Sequence, residues 1–215
     1  MIKISPSILN VTSDKIEEEV KSLDKAGADY IHIDVMDGNY VDNMSFGPET
    51  VKEIRKLTSK ILDVHLMIKP VKPSIKEYIE AGSDIISFHP EADENSEEVI
   101  NIINKSNKSA GVAIHPKIEI SEIASFLPKL QQVIVMTVVP GFGGQKFMND
   151  QVNKIKTLYE IRENNNYDYK ISVDGGINNL TKEECIRNGV DILAVGSYLM
   201  SRNKSEYKQV INSLK

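Results

Sequence analysis

The sequence predicts an α/β protein: a single (β/α)8 TIM barrel occupying residues 1–215 as one domain. Three observations predict it. Short apolar runs recur eight times, stretches of helical pattern lie between them, and one helix-to-strand joint repeats along the chain. The length suits one domain of this kind. At this size about 70% of the unfolded surface can be buried, so a large core needs no covalent staples.

The apolar runs are 2–4, 30–35, 61–67, 85–88, 110–114, 133–138, 170–173 and 192–195. Several lack polar alternation, as expected of strands covered on both faces of a parallel sheet. Between them, Asp14 and Glu17 have the spacing of a capping box ahead of Val20, Leu23 and Ala26. Pro48 suits the first turn of a helix carrying Val51, Ile54 and Leu57. The longest helical pattern covers 149–163. Thr181 and Glu184 predict a second capping box, and Gly189 stands where a helix C-terminal glycine belongs. The repeated joint reads Ala26-Gly27-Ala28-Asp29, Ala81-Gly82-Ser83-Asp84 and Asn188-Gly189-Val190-Asp191, each just before an apolar run. Recurrent joints of this kind mean repeated βαβ units. A doubly wound open sheet is the alternative, but eight pairs in just over 200 residues favour the closed barrel.

Composition narrows the partners. Hydrophobic residues make up 40% of the chain and charged residues 27%, and the net charge of −5 is spread over interspersed acids and bases. No basic face is available, which argues against nucleic acid or a membrane surface as partner. No apolar run approaches the ~20 residues of a membrane span. The N-terminus lacks the pattern of a signal peptide, so a cytoplasmic enzyme is expected. The single cysteine, Cys185, cannot form an internal disulfide and reads as a buried small residue rather than a nucleophile.

Active sites of such barrels lie at the carboxyl ends of the strands. The second strand ends in His32-Ile33-Asp34, the third in His65-Leu66-Met67, and the seventh in Val173-Asp174-Gly175-Gly176. Alternate residues share a face of a strand, so His32 pairs with Asp34. One strand histidine alone is more often a satisfied core residue. Two imidazoles and two carboxylates gathered from three strand ends suit one divalent transition metal, with zinc, iron(II) and manganese as the candidates. Glycines crowd the last loops: Gly141, Gly143 and Gly144 after strand six, Gly175 and Gly176 after strand seven, Gly196 before Ser197 after strand eight. Any one pair could serve a tight turn. Three adjacent loops of this kind let backbone N–H groups approach a phosphate closely.

At these residues the sequence resembles the ribulose-phosphate 3-epimerase family nearly end to end. Ile4-Ser5-Pro6-Ser7, His32-Ile33-Asp34-Val35-Met36-Asp37-Gly38, Phe46-Gly47-Pro48, Asp63-Val64-His65-Leu66-Met67 and Phe88-His89-Pro90-Glu91 follow the family's order. Met136-Thr137-Val138 with Pro140-Gly141-Phe142-Gly143-Gly144-Gln145-Lys146-Phe147 is the most specific block, and Val173-Asp174-Gly175-Gly176 and Val195-Gly196-Ser197 complete the set. The resemblance implies that D-ribulose 5-phosphate and D-xylulose 5-phosphate are interconverted by metal-dependent epimerisation at carbon 3. It implies His32, Asp34, His65 and Asp174 as metal ligands, and Asp34 and Asp174 as the acid–base pair. Ser7 and His65 would contact substrate, and Met36, Met67 and Met136 would line the reacting carbon, although methionines there are otherwise ordinary core filler.

Two departures stand out. His115-Pro116 replaces an expected Asn-Pro, and Val138-Val139-Pro140 replaces an expected Val-Asn-Pro. Both fall at the catalytic face and bear on the sugar, since a related subgroup epimerises allulose 6-phosphate. A phosphosugar or nucleotide decarboxylase would want a lysine beside its aspartates, and the second-strand motif has none. A non-catalytic phosphate-binding module would explain the glycines but not four converging ligand-type residues. A homo-oligomer is expected from the apolar faces of the helices.

Overall fold

The computed structural model describes all residues, 1–215. Eight strands alternate with helices: β1 (Lys3–Pro6), α1 (Ile16–Ala26), β2 (Tyr30–Met36), α2 (Pro48–Leu57), β3 (Ile61–Met67), α3 (Ile75–Glu80), β4 (Ile85–Phe88), α4 (Ser96–Lys105), β5 (Ser109–Ile114), α5 (Ile120–Ile123), β6 (Gln132–Met136), α6 (Val152–Asn165), β7 (Lys170–Asp174), α7 (Lys182–Arg187), β8 (Ile192–Val195), α8 (Ser197–Met200) and α9 (Tyr207–Leu214). All pairings are parallel, in the order β1-β8-β7-β6-β5-β4-β3-β2. The ring closes between β1 and β2, where Ser7 bridges His32, the Ile8 amide donates to the His32 carbonyl at 3.2 Å and the Asp29 amide to that of Ile4 at 3.0 Å. The predicted eight-fold barrel is what the chain forms.

Alternation along the strands sorts the side chains. In β2, Ile31, Ile33 and Val35 join the layer between sheet and helices, while His32, Asp34 and Met36 occupy alternate positions. In β5 and β6 a small separate cluster of Ala113, Ile134 and Met136 with Val138 contrasts with Val112, Ile114, Val133 and Val135 in the main layer. The helices turn apolar stripes inward. Val20 and Leu23 of α1, Val51 and Ile54 of α2, and Ile155 and Leu158 of α6 are buried. Full burial of an aliphatic side chain of this kind stabilises by roughly 1.5–3 kcal/mol. Cys185 is fully buried, and burial pushes its thiol up to about 12, so it is an inert core residue. No helix is long and apolar enough to cross a membrane.

Two expected capping boxes do not form. A 3-10 turn at Ser13–Lys15 leads into α1, whose N-terminus has no side-chain cap. Thr181 accepts a hydrogen bond from the Asn178 amide at 3.0 Å and donates to the Gly176 carbonyl at 3.1 Å, so its hydroxyl braces the preceding loop instead of capping α7. A hydroxyl that has found a loop partner has no need of the helix end. Pro48 does open α2, and Gly189 follows α7 with φ +101°.

The repeated joint forms a latch at the lower end of the barrel. Gly27, Gly82 and Gly189 all take left-handed φ, between +88° and +101°, which a side chain would resist. Each following aspartate accepts a backbone N–H at the start of a neighbouring strand: Asp29 from Ile4 at 3.0 Å, Asp84 from Leu62 at 2.9 Å, Asp191 from Ile171 at 2.8 Å. Each also pairs with a cation, from Lys3 and Lys215, Arg55 and Arg162 respectively.

Candidate active site

Strand register assembles the site at the opposite end. His32 lies beside Asp63, Asp34 beside His65, Met36 beside Met67, and Met136 beside Asp174. Strands β2 and β7 are separated only by β1 and β8, which brings Asp174 to the same cluster. One ligand-type atom from each of His32, Asp34, His65 and Asp174 falls within a set whose members all lie within 4.8 Å of one another. His32 Nε2 is 3.3 Å from Asp34 Oδ1 and 3.8 Å from Asp174 Oδ2. His65 Nδ1 is 3.2 Å from Asp34 Oδ1 and 3.6 Å from Asp174 Oδ2.

Behind this cluster runs a buried polar layer. The His32 Nδ1–H donates to Asp63 Oδ2 at 2.8 Å, because a carboxylate can only accept. Asp63 also receives Ser5 Oγ at 3.0 Å and Gln132 Nε2 at 2.8 Å. In the neutral ring that proton placement leaves the Nε2 lone pair of His32 facing the cluster, and this buried nitrogen has no hydrogen-bond partner. A residue whose one nitrogen is anchored and whose other is orphaned among carboxylates matches a metal ligand backed by a carboxylate. The donor set of two imidazoles and two carboxylates suits zinc, iron(II) or manganese. His65 has a different rear partner: its Nε2 is 3.0 Å from Nε2 of His89.

Electrostatics separates the two site aspartates. Burial opposes the charge on Asp34, but the His32 and His65 rings outweigh it and hold the carboxyl well below the usual range. Ser7 Oγ adds a 2.6 Å hydrogen bond to its Oδ2. The same pairing, against burial, lifts His32 well above its ordinary value through Asp34 and Asp63, and raises His65 through Asp174 and Asp34. The Asp34 side chain is 5% exposed and that of Asp174 17%, so Asp174 is the more open of the two. Burial pushes His89 down to about 4, leaving it neutral.

Above the carboxylates opens one cleft. Ser7, Met36, Met67, Met136, Gly141, Gly143, Gly144, Gly175, Gly176, Gly196 and Ser197 all line it, together with Asp34 and Asp174. His32 and His65 are fully buried and are not part of its wall. No lysine or arginine lines it. The glycines differ in what they require. A Cβ on Gly175 would meet Val138 at 2.4 Å, and one on Gly176 would meet the Phe147 amide nitrogen at 2.8 Å, with φ +66°. A Cβ on Gly196 would have only ordinary contacts, the nearest being Ser7 at 3.7 Å. His115 and Val139 do not line this cleft. They line an adjoining outer groove with Tyr40, Glu91 and Lys117, and Pro140, Phe142 and Gln145 border both.

The sequence motifs contained Asp63 and His89 without giving either a role. Asp63 carried a usable signal, since it precedes His65 by two and so shares its face, as His32 does with Asp34. Gln132 carried none, because its partner is 69 residues away.

The Ribulose-phosphate 3 epimerase family matches residues 3–200. Ribulose-phosphate 3-epimerase of Bacillus subtilis is 39% identical over 216 residues, covering 100% of this chain and 99% of that protein. The enzyme of the same name from Escherichia coli K12 is 34% identical, covering 99% and 94%. The chloroplastic ribulose-5-phosphate-3-epimerase of Arabidopsis thaliana is 37% identical, covering 100% and 76%. Among solved structures, a variant tryptophan synthase α-subunit from Pyrococcus furiosus superposes with a TM-score of 0.73 at 12% identity, covering 99% of this chain and 96% of that one. Thiamine phosphate pyrophosphorylase from the same organism gives 0.66 at 17%, covering 99% and 93%. Those two show the barrel alone. The family match and the full-length relatives above 30% identity show that this chain belongs to the ribulose-phosphate 3-epimerase family.

Proposed function

We propose that the protein interconverts D-ribulose 5-phosphate and D-xylulose 5-phosphate by moving a proton at carbon 3, with Asp34 and Asp174 as the two bases. The observation that carries this reading is the pair of carboxylates set on β2 and β7 at one cleft floor, with histidines between them. Family membership supports the substrate, since the full-length relatives bear that enzyme's name.

The hydrogen on carbon 3 is acidic because the neighbouring carbonyl can hold the charge left behind. Asp34, kept ionised by His32 and His65, removes it from one face. Asp174 delivers a proton to the other face, and the roles exchange in the reverse direction. His32, Asp34, His65 and Asp174 would hold one divalent ion, zinc, iron(II) or manganese, which supplies Lewis-acid stabilisation of the developing oxyanion. Met36, Met67 and Met136 keep water from the reacting carbon. Ser7 holds Asp34 and stands at the cleft wall where a sugar hydroxyl would lie. The phosphate would be bound by backbone N–H groups of Gly143, Gly144, Gly175, Gly176 and Gly196 and by Ser197, with Gly141 shaping the loop.

His115 and Val139 line the outer groove rather than the cleft, so the two departures do not argue for the hexulose phosphate over the pentulose. The lack of lysine in the cleft weighs against the decarboxylase alternative. Incubating purified, metal-loaded protein with ribulose 5-phosphate and allulose 6-phosphate side by side tests the reading. Turnover of the pentulose at least ten times faster by kcat/KM is expected, and preference for the hexulose refutes it. A cytoplasmic location and a homo-oligomer remain parts of the proposal. The helices spend their apolar faces on the barrel itself, so an oligomer would use exposed side chains such as Met44, Phe142 and Val139 around the mouth. Sedimentation at micromolar concentration checks this.

A further inference from the structure

His65 is backed by a neutral imidazole where His32 is backed by an anion, and that difference has a consequence for its protonation. Only one proton fits between His65 Nε2 and His89 Nε2, 3.0 Å apart. If it sits on His89, then His89 Nδ1 is a bare lone pair, fully buried, 3.5 Å from the Glu91 carboxylate and without a donor. His65 would then carry its own proton on Nδ1, the nitrogen that faces Asp34 and Asp174. If instead the proton sits on His65 Nε2, His89 accepts it and presents Nδ1–H toward Glu91. His65 Nδ1 is then a free lone pair among the carboxylates. A buried acceptor facing an anion is costly and a buried N–H facing one is favourable. Asp34 and Asp174 favour a proton on His65 Nδ1 just as Glu91 favours one on His89 Nδ1; with a cation held among the carboxylates, His65 Nδ1 would face positive charge and the charge on Glu91 would select the second arrangement.

Tyr40 holds the far end of this chain. Its ring stacks on His89 with centroids 4.7 Å apart, and its hydroxyl donates to Glu91 Oε1 at 2.8 Å. His89 is fully buried and does not line the cleft. We propose that His89, oriented by Glu91 and Tyr40, is a positioning residue that holds His65 in the tautomer whose Nδ1 is free to ligate the divalent ion. This rests on the metal centre put forward above. It adds a chain His65–His89–Glu91 to the residues on which metal uptake depends.

Zinc binding and histidine tautomers test it. The chain has only four histidines, so 15N-histidine labelling gives a spectrum that single substitutions can assign. In the zinc-loaded parent, long-range 1H–15N correlations should show the His89 proton on Nδ1. Competition with a chromogenic chelator should show that His89→Leu binds zinc about 10–100-fold more weakly, the usual cost of losing a ligand's rear partner. His89→Gln, whose amide oxygen can accept the His65 proton, should restore affinity to within about threefold of the parent. Circular dichroism verifies folding. If His89→Leu does not fold, the parent tautomer and His89→Gln decide. A His89 proton on Nε2, or a folded His89→Leu that binds zinc as tightly as the parent, overturns the proposal while leaving the metal centre standing. A parent that takes up none of zinc, iron(II) and manganese overturns the metal centre and this proposal together.

Discussion

The two ends of the barrel use aspartate in opposite ways. At the lower end Asp29, Asp84 and Asp191 each accept a strand N–H and pair with a lysine or arginine, so their oxygens are satisfied by the fold. At the upper end Asp34 and Asp174 converge on His32 and His65, one nitrogen of His32 has no partner, and the balancing cations of the lower end are missing. The lower arrangement contributes stability. The upper one pairs its carboxylates with imidazoles and with no lysine or arginine, an arrangement that a metal and a reacting sugar would use. Changes at the top should therefore cost activity, and changes at the bottom should cost stability.

The largest effect belongs to the upper carboxylates. Asp34→Asn and Asp174→Asn should each lower kcat by at least about 100-fold, as loss of a general acid or base does. Steady-state kinetics with metal content measured on each variant checks both. Next comes the support beneath His32. Asp63→Asn should weaken metal binding about 10–100-fold by removing the anion behind the ligand. Chelation should abolish activity in the parent, with recovery on adding zinc, iron(II) or manganese back.

Gly196→Ala sharpens the comparison at the phosphate end of the cleft. Its Cβ fits with ordinary contacts, so folding should survive while KM rises several-fold and kcat changes less. Gly176→Ala should lose stability as well, because its φ of +66° and the Phe147 backbone leave no room. An unchanged KM in Gly196→Ala would move the phosphate elsewhere.

At the lower end, Asp191→Ala strips the acceptor from the Ile171 amide and the partner from Arg162. Leaving the amide of the buried Ile171 without its acceptor is expected to cost about 1–3 kcal/mol, or roughly 2–4 °C in Tm per kcal/mol at this chain length. Turnover at saturating substrate should stay within twofold of the parent. The smallest effect is at Asp29, whose carboxyl the Ile4 amide, Lys215 and Lys3 hold below its ordinary value despite burial. A depressed carboxyl stabilises above its unfolded value, and that stability disappears as pH falls through the folded one. The Tm gap between the parent and Asp29→Asn should thus shrink as pH drops from about 5 toward 3.

This contrast also marks what the sequence could carry. Strand positions were legible because burial on both faces removes polar alternation. The runs 61–67, 85–88 and 192–195 match β3, β4 and β8 residue for residue. The four ligand-type residues were legible because a strand-end position and a two-residue period fix where they point. Asp14 and Thr181 were misread because capping depends on what else a short polar side chain can reach, and Thr181 reaches the Gly176 carbonyl. The back of the site stayed hidden for a similar reason. Asp63 and Gln132 meet across the barrel interior, and His65 and His89 meet between strands, so register rather than local pattern makes those contacts. His115 and Val139 follow strands whose ends face the mouth, yet the loops carry them into the outer groove.

The central claim is that Asp34 and Asp174 act on opposite faces of carbon 3. Its most direct test is Asp174→Asn, with metal retained, incubated separately with ribulose 5-phosphate and xylulose 5-phosphate in D2O. Deuterium at carbon 3 is followed alongside epimer formation. The account predicts that one of the two sugars exchanges its hydrogen through Asp34 without inverting, while epimer formation falls at least about 100-fold. Epimerisation at the parent rate would contradict it.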